Sequence, residues 1–492
     1  MSPLLVFGTI ALYFSALIFI AFLTSRKASN DSFFTANKQA PWFVVAFGMI
    51  GASLSGVTFI SVPGEVGDFI AGTNQVKAFS YFQLVLGYLL GYFVIANVLL
   101  PMYYKLNLVS IYTYLKTRFG IFSYKTGSSF FLISQAMGSS LRLMLVAGVL
   151  QLAFFDAYNI PFELTAFVSI LLIWVYTFKG GMKTIIWTDI FQTTFMLLAV
   201  IVSILIVQSD LNLSTSEMIS TIKNSEYSKI WVWDWQSSKF FIKQFIAGAF
   251  IAIVMTGLDQ NMMQKNLTCR NIGDAKKNIY WLSIILVPVN LLFLSLGVLL
   301  YLYAAKNGIE IPKFTDDLYP TLAIHHFSAF AGIVFLIGII AAAFSSADSS
   351  LTALTTAFCI DFVPMNTKSE KVQKQIRLAV HVFFSIVMYL IIVIFGKLND
   401  KSVISTVFTI AGYTYGPLLG LFAFGLFTKR KITDNFMVPL AAILSPLASF
   451  LIDKHSVALL GGYTFGFELL IVNGAIMFLA LFLLSLKPKK LV

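Results

Sequence analysis

Gly338-Ile339-Ile340-Ala341-Ala342-Ala343-Phe344-Ser345-Ser346-Ala347-Asp348-Ser349-Ser350-Leu351 lies in the middle of an apolar stretch running from about 329 to 362. Its serines and its aspartate have no turn-forming neighbours that would make them a loop. Read as a helix, Ala342, Ser345, Ser346 and Ser349 fall at i, i+3, i+4 and i+7, one stripe of small side chains and hydroxyl oxygens. Two readings fit that stripe. Oxygen donors grouped on one helix face suit a hard cation such as Na+. Small residues equally allow membrane helices to pack closely.

The rest of the chain sets the solvent in which this choice is made. Of 492 residues, 58% are hydrophobic and only 11% charged, with a mean hydropathy of +0.85; soluble domains carry about 25% charged residues. An all-α polytopic membrane protein facing the lipid bilayer is expected. About thirteen apolar spans can be marked, at 3–23, 42–64, 79–102, 128–152, 161–178, 185–208, 241–260, 279–304, 329–362, 376–396, 403–427, 434–452 and 467–486. The first is read as a retained span, because no small-residue cleavage pattern follows it. With the N-terminus outside and the C-terminus cytoplasmic, most of the 34 lysines and arginines fall in inside loops. Arg26, Arg118, Arg270, Arg377 and Arg430 are all there, as are Lys27, Lys179, Lys265 and the tail lysines Lys487, Lys489 and Lys490. The net charge of +12 is therefore topology, and nucleic acid is not an expected partner. A multi-pass protein of the cell (inner) membrane is the expectation. Cys269, Cys359 and the four histidines show no ligand spacing, so neither zinc nor a disulfide framework is expected. No nucleophile–base–orienter set suggests an enzyme.

Polar residues at membrane depth carry the functional signal. Gly51-Ala52-Ser53-Leu54-Ser55-Gly56-Val57-Thr58, followed by Pro63-Gly64, weakens the second span near its middle. Unwound backbone is tolerated at that depth where it is buried or lines a cavity, and broken helices offer their carbonyls to ions. The alternative is a kinked but continuous helix. Arg142 lies about 22 Å in from the cytoplasmic end of its span at 1.5 Å per residue. An arginine there costs at least about 3 kcal/mol and marks a site by default. It could clamp a carboxylate bidentately, or form an internal ion pair. Asp189 lies one to two turns inside the cytoplasmic face, as does Asp348, each a cation ligand or an end-of-helix charge. Gln83 could reach a solute hydroxyl or act as packing glue. Asp259 reads as a cap or gate, and His381 as a satisfied core residue. Arg142, the break at 51–58 and Asp189 all point to a polar cavity beside the serine stripe, and that convergence favours cation binding over packing alone.

These residues resemble the sodium:solute symporter family, which has the LeuT fold. The resemblance runs over about residues 3–430. It is carried by Gly180-Gly181-Met182-Lys183 before Trp187-Thr188-Asp189-Ile190-Phe191-Gln192, by Ala341-Ala342 with Ser345-Ser346, by Gly412-Tyr413-Thr414-Tyr415-Gly416-Pro417, and by Asp259-Gln260 with Gln264-Lys265. It implies ten core helices in two inverted five-helix repeats, at 42–208 and 241–427, joined by an extracytoplasmic loop at 209–240. Residues 1–41 would hold a leading span and a cytoplasmic loop, and 428–492 two trailing spans and a basic cytoplasmic tail. The broken helices would be 42–64 and 241–260. The family's sodium site would fall on Gly51 and Leu54 together with Ala342, Ser345 and Ser346. The site motifs are most similar to those of the family's bacterial sialic acid transporters. That likeness implies a second Na+ site at Asp189, Ser345, Asp348 and Ser349, with Asp348 acting through its carbonyl because its side chain departs from the family pattern. It implies solute contacts at Ser53, Ser55, Thr58, Gln83 and Arg142, the arginine falling one turn further along than the family's.

The function implied is sodium-coupled import of a small organic solute by alternating access, leaning to a sialic acid or similar anionic sugar, with Na+ as the coupling ion and the monomer as the working unit. A neutral sugar or a monocarboxylate is the alternative solute. A passive channel or membrane receptor on the same fold is the other class, disfavoured because no output module is read after the last span.

Overall fold

A computed structural model describes residues 3–25, 34, 36–70, 74–177, 181–398 and 403–485. Arg26, Lys27, Lys179, Gly180 and the tail lysines lie outside the described residues. The main helices are α1 (Pro3–Ser25), α2 (Trp42–Ser53), α3 (Gly56–Glu65), α4 (Tyr81–Val94), α5 (Ile121–Leu150), α6 (Phe162–Thr177) and α7 (Gly181–Asp210). They continue with α8 (Phe241–Ala252), α9 (Gln260–Asn266), α10 (Ile272–Lys306), α11 (Ala329–Phe362), α12 (Glu370–Leu398), α13 (Val403–Phe427), α14 (Met437–Lys454) and α15 (Leu469–Ser485). Among the described residues, nine helices are long and apolar enough to cross a membrane, two bent pairs act as broken spans, and α6 and α15 are shorter apolar helices. These segments occupy the thirteen stretches marked from hydropathy.

Both breaks have a local cause. α2 and α3 meet at 53°, and α8 with its π-turn meets α9 at 69°. At the first break Ser55 takes φ 5° and ψ 173°, outside helical geometry, and it stands directly before Gly56, a residue of low helix propensity. At the second, Gly257 and Leu258 end the π-turn and Asp259 caps α9, its Oδ1 accepting the Met262 N–H at 3.1 Å. Each break leaves the terminal carbonyls of one half-helix and the amides of the next without intrahelical partners.

The helices sort into two layers around α11. α4 packs on α8, and α10 on α2, α3 and α4. On the other side α11 packs on α5, α7 and α12, and α12 on α5 and α6. Glycines set the closest approach. A Cβ added at Gly87 would lie 2.0 Å from the Phe245 carbonyl oxygen, and one at Gly248 would lie 2.0 Å from that of Leu84. Gly87-x-x-x-Gly91 on α4 thus meets Gly248 on α8 backbone to backbone, the small-residue packing that substitutes for a hydrophobic drive in lipid. α11 is buried continuously from Gly338 to Ala357. A polar stripe on it faces protein and not lipid.

The second break is clasped from one end of the bundle. The Gln260 side chain donates to Val109 O at 2.7 Å and accepts from Ile111 N at 2.9 Å. Tyr103 and Tyr112 donate their hydroxyls to the Gly257 and Leu258 carbonyls, at 2.8 and 2.9 Å. Close by, the buried Asp361 carboxylate accepts from Ser110, Tyr124 and Ser128 hydroxyls at 2.7–3.0 Å.

Candidate ion and solute site

α11 meets the first break directly. A Cβ on Gly56 would touch Ala343 Cβ at 3.2 Å and Val146 of α5 at 3.0 Å. On the α2 side of the break, a Cβ on Gly48 would lie 2.9 Å from Asp189 Cβ, and one on Gly51 would lie 2.2 Å from Thr193 Oγ1. α7 therefore lays Asp189 and Thr193, one turn apart on a single face, against two glycines of α2. Asp189 in turn reaches the stripe, accepting the Ser345 hydroxyl at Oδ1 over 2.7 Å. The Ser346 hydroxyl donates to Ala343 O at 3.0 Å. Both serine oxygens keep lone pairs after giving up these protons.

The residues present fit a Na+ ion at the first site. The set expected there would offer only hard oxygens: the end carbonyls of α2 around Gly51 and Leu54, the Ala342 carbonyl, and the Ser345 and Ser346 hydroxyls. Thr193 Oγ1, buried beside Gly51, has no hydrogen-bond partner among the described residues. Sequence reading missed Thr193; its place four residues after Asp189 was the available signal.

The second set is arranged differently. Ser349 Oγ donates to Ser345 O at 2.9 Å and lies 3.2 Å from Asp348 Oδ1. The Asp348 side chain also accepts the Tyr176 hydroxyl at 3.0 Å, where its carbonyl was the expected donor. The Asp189 Oδ2 atom lies 2.6 Å from Lys265 Nζ, with the two side chains 1% and 2% exposed. Topology alone makes Lys265 a cytoplasmic loop charge. In the structure it is a fully buried cation.

Ser53, Ser55, Thr58 and Arg142 line one cavity of about 110 Å³ at the first break, together with Gln135, Asp259, Asn261, Thr256 and the tyrosines Tyr81, Tyr88, Tyr92 and Tyr415. Among the described residues no carboxylate lies within 4.0 Å of the Arg142 guanidinium. Asp259, the nearest candidate by position, is engaged instead by Tyr415 OH and Met262 N. Asn261 Oδ1 is buried without a partner. The tyrosines, Asn261 and Asp259 come from three different helices, α4, α9 and α13, and are not legible as a set.

Gln83 is the correction. Its amide nitrogen donates to Ser80 O at 3.2 Å and Lys239 O at 3.0 Å, and its oxygen accepts from Val232 N at 3.2 Å. It is fully buried and all its groups are spent tying the 231–239 loop onto α4. It does not line the cavity and has nothing left to offer a solute. His381 is satisfied as expected, between Thr177 and Thr355.

A larger cavity of about 520 Å³ lies beyond the first and shares Phe408 with it. Its wall includes Lys77, Lys239, Lys313, Asp68 and Asp453. Lys77 is held by Glu65 at 2.8 Å and Asp68 at 2.6 Å, and these two carboxylates raise its pKa further than burial lowers it.

Residues 33–438 match the model of the sodium:solute symporter family. The sodium/sialic acid symporter NanT of Aliivibrio fischeri is 24% identical over 437 residues, 86% of this chain and 83% of that protein. The human sodium-coupled monocarboxylate transporter 1 is 24% identical over 449 residues, 86% of this chain and 69% of that protein. A solved Na+-coupled sialic acid symporter in a substrate-bound outward-open state superposes with a TM-score of 0.80 at 20% identity, covering 98% of this chain and 97% of its own, and that likeness assigns the LeuT-type fold. The chain belongs to the sodium:solute symporter family, as a multi-pass membrane transporter with Na+ as its coupling ion and not an enzyme.

Proposed function

We propose that the chain imports an anionic organic solute, a sialic acid or similar anionic sugar, with Na+ across the cell (inner) membrane, its N-terminus outside and its C-terminus cytoplasmic. The observation that carries this is Arg142. A guanidinium at membrane depth lines the cavity at the first break with no carboxylate paired to it among the described residues. A half-buried cation at membrane depth without a partner is costly, and a solute carboxylate is the natural bidentate partner. Ser53, Ser55 and Thr58 offer hydroxyls to the same solute, and Asn261 an amide oxygen.

In this reading Na+ sits at Gly51, Leu54, Ala342, Ser345 and Ser346, bridging the first break and α11. Asp189, Ser345, Asp348 and Ser349 form a second cation-binding centre beside it. Na+ favours the state in which α11 and the first break are held together, and solute binds next to it; coupling is then a population shift, since Na+ must bind one state better than the other. The Asp361 cluster closes the cytoplasmic end, while the 520 Å³ cavity opens outward. The repeats are taken as 42–208 and 241–427, flanked by 1–41, the 209–240 loop and 428–492, and the monomer in lipid as the working unit.

A second reading, a small monocarboxylate, is favoured by the cavity volume. About 110 Å³ is below the 300–1,000 Å³ of typical drug-sized ligand sites. Uptake of radiolabelled sialic acid and of lactate, each competed by the other, separates the two. In either case Arg142→Ala should lower carboxylate uptake by about tenfold to a hundredfold, the loss of charge-assisted hydrogen bonds worth about 1.5–3 kcal/mol. A neutral sugar taken up equally well, and lost equally on substitution, would overturn the carboxylate clamp.

A further inference from the structure

The second centre has a cation of its own. Lys265 stands on α9, just past the second break, and its side chain turns inward and not toward the cytoplasm. Its ammonium is 2.6 Å from Asp189 Oδ2. The other carboxylate oxygen takes the Ser345 hydroxyl at 2.7 Å, and α2 closes the back of the site at Gly48. Both oxygens of the carboxylate are thus engaged, one by a full positive charge. A mobile ion placed on the same carboxylate would lie within a few ångströms of that ammonium, and like charges at such range in a buried site repel strongly.

We propose that the ammonium of Lys265 is the resident cation of the Asp189–Ser345 centre, so that this transporter moves one Na+ per solute. The proposal rests on the reading of the first Na+ site above. A side chain cannot dissociate, so its charge contributes to the architecture of the centre and not to the transported charge. With a monoanionic solute, one Na+ makes the cycle electroneutral, whereas two would carry one net positive charge inward per turnover.

The test uses the purified full chain in liposomes. ²²Na+ and labelled sialic acid fluxes are measured together, with the membrane potential clamped by K+ and valinomycin. The expected wild-type result is a flux ratio near one, insensitive to potential. Lys265→Gln should gain Na+ flux relative to solute and become potential-sensitive. Should that variant not fold, the wild-type ratio and its potential dependence decide the matter, with ²²Na+ binding at equilibrium as the second readout. A wild-type ratio near two, falling to one in Asp189→Asn or in Asp348→Asn, would overturn the proposal and return a mobile ion to that centre. Solute uptake with no Na+ flux at all would instead sink the function proposed above.

Discussion

Replacing Lys265 by Met should destabilise the protein severely, and replacing Asp189 by Asn at the same time should restore most of the loss. The two side chains are 2% and 1% exposed and 2.6 Å apart. Removing one partner of such a pair leaves a buried, uncompensated charge and costs about 3–5 kcal/mol. The Ser345 hydroxyl offsets part of this for Asp189 by donating to Oδ1, so the lower end, about 3 kcal/mol, is the expectation for Lys265→Met. That is a change of at least a hundredfold in the folded-to-unfolded ratio at 1.4 kcal/mol per decade. The double variant carries no charge at either position and should lie within about 1 kcal/mol of wild type. The assay is a double-mutant cycle on reversible denaturant unfolding in detergent micelles, with all four proteins under one protocol. Single variants costing less than about 0.5 kcal/mol, or a double variant as unstable as the sum of the two, would refute the buried pair and with it the resident-cation argument.

Three further outcomes are expected. Ser346→Ala should raise the Na+ concentration for half-maximal uptake by about tenfold or more, the scale on which cation sites lose affinity when one supporting group is removed; an unchanged Na+ dependence would remove Ser346 from the site. Gly48→Val should push α2 off α7, since a Cβ there meets Asp189 Cβ at 2.9 Å, at a cost of about 1–3 kcal/mol, while Gly8→Val, with open space around it, should be neutral when the two are compared by thermal unfolding. Asp316, in the loop before α11, gives a pH signature. Burial holds its carboxyl up at about 6 against an ordinary 3.8, opposed by the Val403 N–H it accepts. The folded state keeps this proton while the unfolded chain releases it, so stability should fall by up to about 3 kcal/mol as pH rises from about 4 through 6. Asp316→Asn should flatten that slope and gain on wild type above pH 6; parallel pH profiles of the two proteins would contradict it.

The parts of the site that a single span carries could be read from the chain. The serine stripe needs only helical spacing, the first break only a run of Gly and Ser at membrane depth, and Arg142 only its distance from both ends of its span. Parts that depend on one element meeting another could not. Lys265 follows Gln264 and precedes Asn266 in a polar run, where hydropathy reads a loop. Only the 69° turn at the second break brings it back under α7. Gln83 looked like a lone polar group because its partners, Val232 and Lys239, arrive from a loop about 150 residues later in the chain. Tyr92 and Tyr415 belong to a class of residue that lipid-facing surfaces and interfaces use freely, so nothing local marks them as cavity walls. Asp259 was legible as a cap, and it is one, but its tie to Tyr415 requires α13 to cross the second break.

The central claim is that Na+ and an anionic solute move together through the cavity at the first break, and accumulation measures it most directly. Liposomes holding the purified chain, with equal labelled sialic acid on both sides and an inward Na+ gradient, should concentrate the solute inside. Accumulation should stop when the gradient is collapsed, and it should be lost or strongly reduced in Arg142→Ala. Equilibration without accumulation, or accumulation that survives the loss of the Na+ gradient, would contradict the account.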